Sequence, residues 1–371
     1  MRVLRIGMTY PRDISPGTGL HLYYHSLFSK YEEYIITAKR DGIKPENRFG
    51  VSIIEIEHKD IQLGSYSENM VVRLYKSFCK IIGLVSFFCK SKKYIRCIRP
   101  DIVHIYTPIP VLCAIYAKRK FGSKIIMSLH GSDALRINKV PILKYLLSIP
   151  DAIVTVSDNM EDLLPKSKIK RSIECIGNGV DLDVFFNKNK QRKKQFINVA
   201  SLRWQKGQEY LLKGFALFLQ KYPEYKLIII GDGELKKDLL ALCNKLSIAD
   251  NVTFLGTIGR SEIAEELNNS KAFVLSSVTE GFPKVVIEAM ATGTPVISSD
   301  VGNVKKIVSD SGVIFPSKSS NAVCDAMQYI VETNDYQEMS RKAIQYSKQY
   351  SWRSNVEKLE AVYDKVMSNG N

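Results

Sequence analysis

Short apolar runs alternate with longer stretches of helical period along this chain, and that alternation leaves few folds open. Parallel strands need a crossover between them, and a helix supplies it, so the pattern predicts parallel sheets covered by helices. Strands are expected at 2–8, 34–37, 51–56, 101–105, 124–129 and 152–156, with helices near 18–30, 68–98, 109–120, 140–148 and 158–164. The pattern stops at a charged string, NKNKQRKKQ at 187–195, and then restarts. Strands follow at 196–200, 226–230, 251–254, 272–276 and 295–298, and helices near 208–221, 234–246, 261–269, 283–291 and 320–332. Two further helices are expected near 336–349 and 352–368. The chain therefore reads as two α/β domains, 1–186 and 187–350, joined by 187–195 and closed by a terminal helical segment, 351–371. Its 371 residues agree with two domains of about 100–200 residues each.

No apolar run approaches the roughly 20 residues that cross a bilayer as a helix. The longest, 81–89, lies between Lys80 and Lys90. The start, MRVLRIGMTYPRD, is broken by Arg5 and Pro11, so no secretory leader is expected and the protein reads as cytoplasmic. Seven scattered cysteines without a C-x-x-C pair read as reduced thiols, mostly small core residues, and as neither a disulfide framework nor a zinc site. The net charge of +15 admits a nucleic acid, an anionic membrane surface or a phosphorylated ligand as partner. No helix-turn-helix, zinc or RNA-binding signature accompanies it, so a nucleic-acid partner is not expected. Between Glu68 and Asp101 there is no acid but eight basic residues: Arg73, Lys76, Lys80, Lys90, Lys92, Lys93, Arg96 and Arg99. Aromatics interleave them, and two readings stay open: a solvated helix face, or a surface that meets acidic lipid headgroups.

In open α/β sheets the ligand sits outside the carboxyl ends of the strands, so the residues just after each strand carry the functional weight. The richest such segment is EGFPKVVIEAMATGTPV, from Glu280 through Glu288. Pro283 suits the first turn of a helix, and the amides of Gly281, Phe282, Lys284 and Val285 around it suit a phosphate. Two carboxylates would repel a diphosphate, so Glu280 and Glu288 are expected to accept hydrogen bonds from hydroxyls instead. In VASLRWQKG, Arg203 and Lys206 stand where cations would neutralise a departing diphosphate without a metal. Gly231 opens a tight turn after the strand KLIII. Pro16-Gly17-Thr18-Gly19 follows the first strand, but it is no full G-x-G-x-x-G, which argues against a dinucleotide dehydrogenase. His130 follows the strand KIIMSL in a glycine turn and is a site candidate. Asp181-Leu182-Asp183 has the spacing of a D-x-D metal motif, yet NGVD at 178–181 reads better as a turn.

Together, SPGTG, SLHGSD, VTVSDNM, IGNGVDLDVF, VASLRWQKG, IIIGDGE, FLGTIGRSEI and EGFPKVVIEAMATGTPVISSDVG resemble, in order, glycosyltransferase family 4. The resemblance implies the GT-B fold: two Rossmann-like domains facing a cleft, with the C-terminal helix crossing back to the first. It implies hexosyl transfer from a nucleotide-diphosphate sugar with retention of configuration and no catalytic metal or other cofactor. By position, Glu288 should bind the ribose and Glu280 the donor sugar, the latter with the amides of 281–284. Lys206 should bind the diphosphate, His130 the donor sugar or its phosphate, and the backbone near Ile258 the base. Gly17 and Gly19 should let the first loop approach the phosphates or acceptor. Two positions depart from the family pattern: Ser201 stands where many members have an arginine, and Lys306 replaces an acid.

These readings point to a glycosyltransferase at the inner face of the cell membrane, using a lipid-linked glycan acceptor in bacterial surface polysaccharide (O-antigen, capsule or lipopolysaccharide) synthesis. The basic stretch 70–99 would face the membrane. A nucleotide-sugar epimerase of the same fold is the alternative, and a basic nucleic-acid-binding protein a more distant one.

Overall fold

A computed structural model shows how these elements assemble. It describes residues 1–7, 20–39, 51–57, 70–130, 141–157 and 171–369, with 133, 137, 160, 161, 164, 165 and 169, the side chains of 20, 39, 70–81, 141 and 142 apart. The chain divides into two compact units, 1–176 with 355–371, and 177–354.

The first unit holds β1 (Arg2–Gly7), β2 (Glu32–Lys39), β3 (Ser52–Glu57), β4 (Ile102–Ile105), β5 (Lys124–Leu129), β6 (Ala152–Thr155) and β7 (Ile173–Cys175). They form one parallel sheet in the order β3-β2-β1-β4-β5-β6-β7. Helices α1 (Leu20–Leu27), α2 (Met70–Ile98), α3 (Val111–Phe121) and α4 (Pro141–Leu146) lie between them in sequence. β4 and β6 are buried along their whole length, as strands covered on both faces must be. One face (Leu4, Ile6, Val103, Ile105, Ile125 and Met127) packs against Phe87 and Ile95 of α2 and Ala114 and Ala117 of α3. α3 ends at Gly122, whose left-handed conformation (φ 74°) stops the helix.

The second unit repeats the plan with β8 (Lys193–Val199), β9 (Lys226–Ile230), β10 (Val252–Gly256), β11 (Ser270–Leu275), β12 (Val296–Ser299) and β13 (Gly312–Phe315). The parallel order is β10-β9-β8-β11-β12-β13. Its helices are α5 (Gln208–Leu219), α6 (Lys236–Lys245), α7 (Arg260–Asn269), α8 (Lys284–Ala291), α9 (Val304–Val308), α10 (Ser320–Glu332) and α11 (Tyr336–Ser347). One sheet face packs Phe196, Leu227, Ile229 and Val274 against Phe215 and Phe218 of α5 and Met327 of α10. The other packs Ile197, Phe273 and Val296 against Ile263 and Leu267 of α7 and Val286 and Met290 of α8.

This unit starts at Gly177, not at 187, and the string 187–195 is part of it. Arg192 is half-buried and donates to the carbonyl oxygens of Leu267 (3.0 Å), Ser270 (2.9 Å) and Thr292 (2.9 Å) and to Thr294 Oγ1 (2.7 Å). Lys193–Gln195 already pair within β8. β7, β13 and α9 were not expected from the sequence. Three described cysteines are buried (Cys113, Cys243 and Cys324), but Cys89, Cys97 and Cys175 are exposed, so the core reading covers only half of those six. No helix among the described residues is long and apolar enough to cross a membrane.

The last helix, α12 (Trp352–Ser368), covers the second face of the first sheet. Val3, Ile102, Ile126 and Val154 meet its Leu359, Val362, Tyr363 and Val366. Within this apolar layer Arg5 is fully buried. Its guanidinium grips Glu33 through two 2.7 Å bonds and donates to Tyr106 Oη (3.0 Å) and Tyr363 Oη (2.7 Å). Asn355 Nδ2 donates to the Ile176 carbonyl, so its Oδ1 must accept from His25 Nε2 at 2.8 Å. His25 Nδ1 then accepts from Tyr106, as His104 Nδ1 accepts from Tyr363. Burial, then the Arg5 charge, pushes both histidines well below their ordinary pKa, so both are neutral.

Candidate active site

In the second sheet the strand order reverses between β8 and β11, and a crevice at such a switch point is where α/β sheets bind ligands. The loops that follow these two strands are fastened to each other. Val278 N donates to the Gln205 carbonyl (2.7 Å), and Ser276 Oγ to the Lys206 carbonyl (3.0 Å). Lys206 Nζ donates to Glu280 Oε1 at 2.6 Å, and Ser277 Oγ to the same oxygen at 2.8 Å. The sequence-predicted cation and carboxylate, 74 residues apart, thus form one ion pair. It is partly screened from water, with side-chain exposures of 26 % and 9 %.

Gly207 makes this approach possible. Its φ is +61°, and a Cβ there would lie 2.1 Å from the Ser276 carbonyl oxygen. Gly207→Ala is therefore expected to destabilise the protein by more than the about 1–2 kcal/mol of left-handed strain alone. It should also misplace Lys206. A lowered melting temperature together with lost turnover would show this, and wild-type values for both would refute it. Gly231, at the end of β9, is equally confined: φ is +132°, with the Ala200 carbonyl oxygen 2.0 Å from any Cβ.

α8 begins at Lys284, and Pro283 (φ −78°, ψ 99°) is its N-cap rather than its first residue. No side chain caps this end, and no acid lies in its first turn. The N–H groups of Phe282, Lys284 and Val285 make no hydrogen bond among the described residues, so the terminus offers donors and a positive dipole. Glu288, one turn further along, is half-buried, and its carboxylate makes no hydrogen bond among the described residues. Burial raises its pKa, and the cations of Arg260 and Lys284 partly offset that. Burial lowers the pKa of Lys284.

Sequence reasoning missed Arg260. Arg260 is buried at the start of α7, its guanidinium 5.2 Å from the Phe185 ring centre and 3.7 Å from the Asp181 carboxylate. It follows a strand end, in GTIGRSE, and that position was the available signal. The turn expected at 178–181 forms after Asp181 instead: Asp181 accepts from Asp183 N through its side chain and from Phe185 N through its carbonyl, while Val180 bridges to Ser351.

The other candidates fall as follows. Ile258 is half-buried with Phe282 and Val285 beside the core under α8, and Gly281 is exposed. Ser201 is exposed, and its carbonyl accepts from Gln208 Nε2. Arg203 makes no hydrogen bond or ion pair with Glu280; it lines a cavity with Trp204 and Lys318. His130, in the first unit, accepts nothing at Nε2 among the described residues, although that atom is buried. Its backbone N–H donates to Asp133 Oδ2 (2.9 Å), and its ring meets His21 edge-on at 4.7 Å. Gly17 and Gly19 lie outside the described residues. Among the described residues no three His, Cys, Asp or Glu side chains group as a metal site requires.

Residues 181–350 match the family described as glycosyl transferases group 1, and residues 26–184 match glycosyltransferase family 4. The chain belongs to glycosyltransferase family 4. An uncharacterized glycosyltransferase of Methanocaldococcus jannaschii is 32 % identical to this enzyme over 238 residues, 57 % of this chain and 58 % of that protein. N-acetyl-alpha-D-glucosaminyl L-malate synthase of Bacillus anthracis is 28 % identical over 289 residues, 72 % of this chain and 75 % of that protein. The crystal structure of HepE from Anabaena in complex with UDP-glucose matches this glycosyltransferase with a TM-score of 0.71 at 15 % identity, over 98 % of this chain and 100 % of that one. At that identity the likeness shows the fold, which is GT-B.

Proposed function

We propose that this glycosyltransferase moves a hexosyl group from a nucleotide-diphosphate sugar to a lipid-linked glycan, with retention of configuration and without a catalytic metal, in surface polysaccharide synthesis. The observation that carries the reading is the Lys206–Glu280 pair at the switch point, in the same loop that leads into the uncapped start of α8. A nucleoside diphosphate is already a good leaving group and needs its growing charge stabilised. Lys206 and the free amides of α8 supply fixed positive charge for it. Glu280, held by Lys206 and Ser277, presents a carboxylate to sugar hydroxyls, and Glu288 accepts from the ribose. Retention follows if the acceptor hydroxyl attacks on the face from which the phosphate leaves and passes its proton to that phosphate. His130, with its Nε2 unengaged, is assigned to substrate contact. HepE was solved with UDP-glucose, which favours uridine donors for the first trials.

A ligand that binds only the folded state raises its stability, by about 2.7 kcal/mol at 100 times its dissociation constant. Melting curves with a panel of nucleotide sugars should show a clear rise for one of them. No rise and no turnover with any would defeat the proposal. Product analysis without an acceptor separates transfer from epimerisation.

The acceptor's lipid is assigned to the outer stripe of α2. Ile82 and Val85 are 52 % and 47 % exposed there, and Lys90, Lys93 and Arg96 are exposed beyond them. Apolar residues beside cations suit the headgroup boundary of an anionic bilayer. At about 1 kcal/mol per basic residue, reversing Lys90, Lys92 and Lys93 to glutamate should lower partitioning onto phosphatidylglycerol vesicles at least about a hundredfold. Unaltered sedimentation with the vesicles would refute this membrane face.

A further inference from the structure

A cavity of about 220 Å³ opens in the second unit beside the 3-10 turn Trp204–Lys206 and the start of α5, with Lys318 also on its wall. Neither Lys206, Glu280 nor Glu288 lines it. Trp204 does, with its indole 60 % exposed. The backbone that carries it is held in place, because its turn is fastened to the loop after β11 through the Gln205 and Lys206 carbonyls.

The cavity is also electrically one-sided. The side chains of Arg203 and Lys318 make no hydrogen bond or ion pair among the described residues. The one acid on the wall, Glu209, is already paired with Lys213 at 2.5 Å. An exposed aromatic ring that shares a cavity wall with two uncompensated cations calls for a partly apolar ligand that carries negative charge. Arginine matches carboxylate and phosphate oxygens in pairs, and indole and guanidinium both bind across faces. The volume lies below the roughly 300 Å³ at which drug-sized ligands begin to fit, so one ring is the natural occupant.

We infer that this cavity is a second carbohydrate site, which holds a single sugar ring bearing a carboxylate or a phosphate. The ring stacks on Trp204, and its charge is held by Arg203 and Lys318. The chain has two tryptophans, and Trp352 is 2 % exposed, so intrinsic fluorescence reports on Trp204 directly.

The experiment titrates glucuronate, glucose 6-phosphate and glucose into the full-length protein, with calorimetry in parallel. A saturable fluorescence change and binding heat are expected with at least one of the two acidic sugars, at least about tenfold tighter than with glucose. Arg203→Gln with Lys318→Gln should weaken that binding at least about tenfold. Lys318→Gln alone, a change at an exposed loop side chain, should weaken it in the same direction. Trp204→Phe should remove the optical signal. The inference is overturned if neither acidic sugar binds, if glucose binds as well, if the variants bind unchanged, or if UDP alone displaces the acidic sugar. The nucleotide-sugar melting shift of the wild-type protein keeps the two readings apart: an intact shift with no acidic-sugar binding by that same protein sinks only this one.

Discussion

Replacing Lys206 by methionine is expected to lower kcat/KM by about 10²–10³-fold. The ammonium is held 2.6 Å from Glu280 in a partly desolvated pocket, where a fixed charge acts more strongly than in water. Methionine keeps the length and apolar stem but removes the positive charge that would face the leaving diphosphate. The loss should fall mainly in kcat, because that charge is needed most as the sugar–phosphate bond breaks. Lys206 is a quarter exposed, and Glu280 keeps its bond from Ser277, so the folded state should survive. A variant with kcat within a few fold of wild type and an unchanged melting temperature would remove Lys206 from the chemistry.

Glu33→Ala should destabilise the first unit by about 3–5 kcal/mol. Burial disfavours the Arg5 charge, and Glu33 with the surrounding hydroxyls more than reverses that, so Arg5 stays protonated. Without Glu33 the guanidinium is left inside an apolar layer with two tyrosine hydroxyls, the His104 ring and one carbonyl for company. The paired change Arg5→Met with Glu33→Leu should cost much less, since the charge is removed along with its partner. Urea unfolding of the three variants checks this. A double variant as unstable as Glu33→Ala would show that the pair itself, not the stranded charge, sustains the fold. The same network ties Tyr363 of α12 to β1 and Asn355 to His25 of α1, so loosening of α12 should accompany unfolding of Glu33→Ala.

Periodicity made most of the fold legible. Where a strand is wholly buried, as at 102–105 or 152–155, its apolar run stands out between polar flanks. The segments that escaped are those with too little pattern. β7 is three residues, IEC, none of them fully buried; α9 is five residues with two lysines. The misplaced boundary has a plainer cause. The string 187–195 is rich in charge because β8 enters its sheet from solvent, yet Arg192 ends among backbone carbonyls, and composition does not register such an anchor. For the site, strand-end position and residue type were enough to nominate Lys206 and Glu280. They were not enough to tell which way a side chain leaves its turn. Arg203, three residues from Lys206, lines a cavity that Lys206 does not, and Arg260 was passed over although it stands near Glu288.

The most direct test is a crystal structure of this glycosyltransferase with an intact nucleotide-sugar donor. The diphosphate should lie within hydrogen-bond distance of Lys206 Nζ and the amides of Lys284 and Val285, with the ribose on Glu288 and the sugar on Glu280. A donor bound with its diphosphate remote from both Lys206 and the start of α8 would contradict the account.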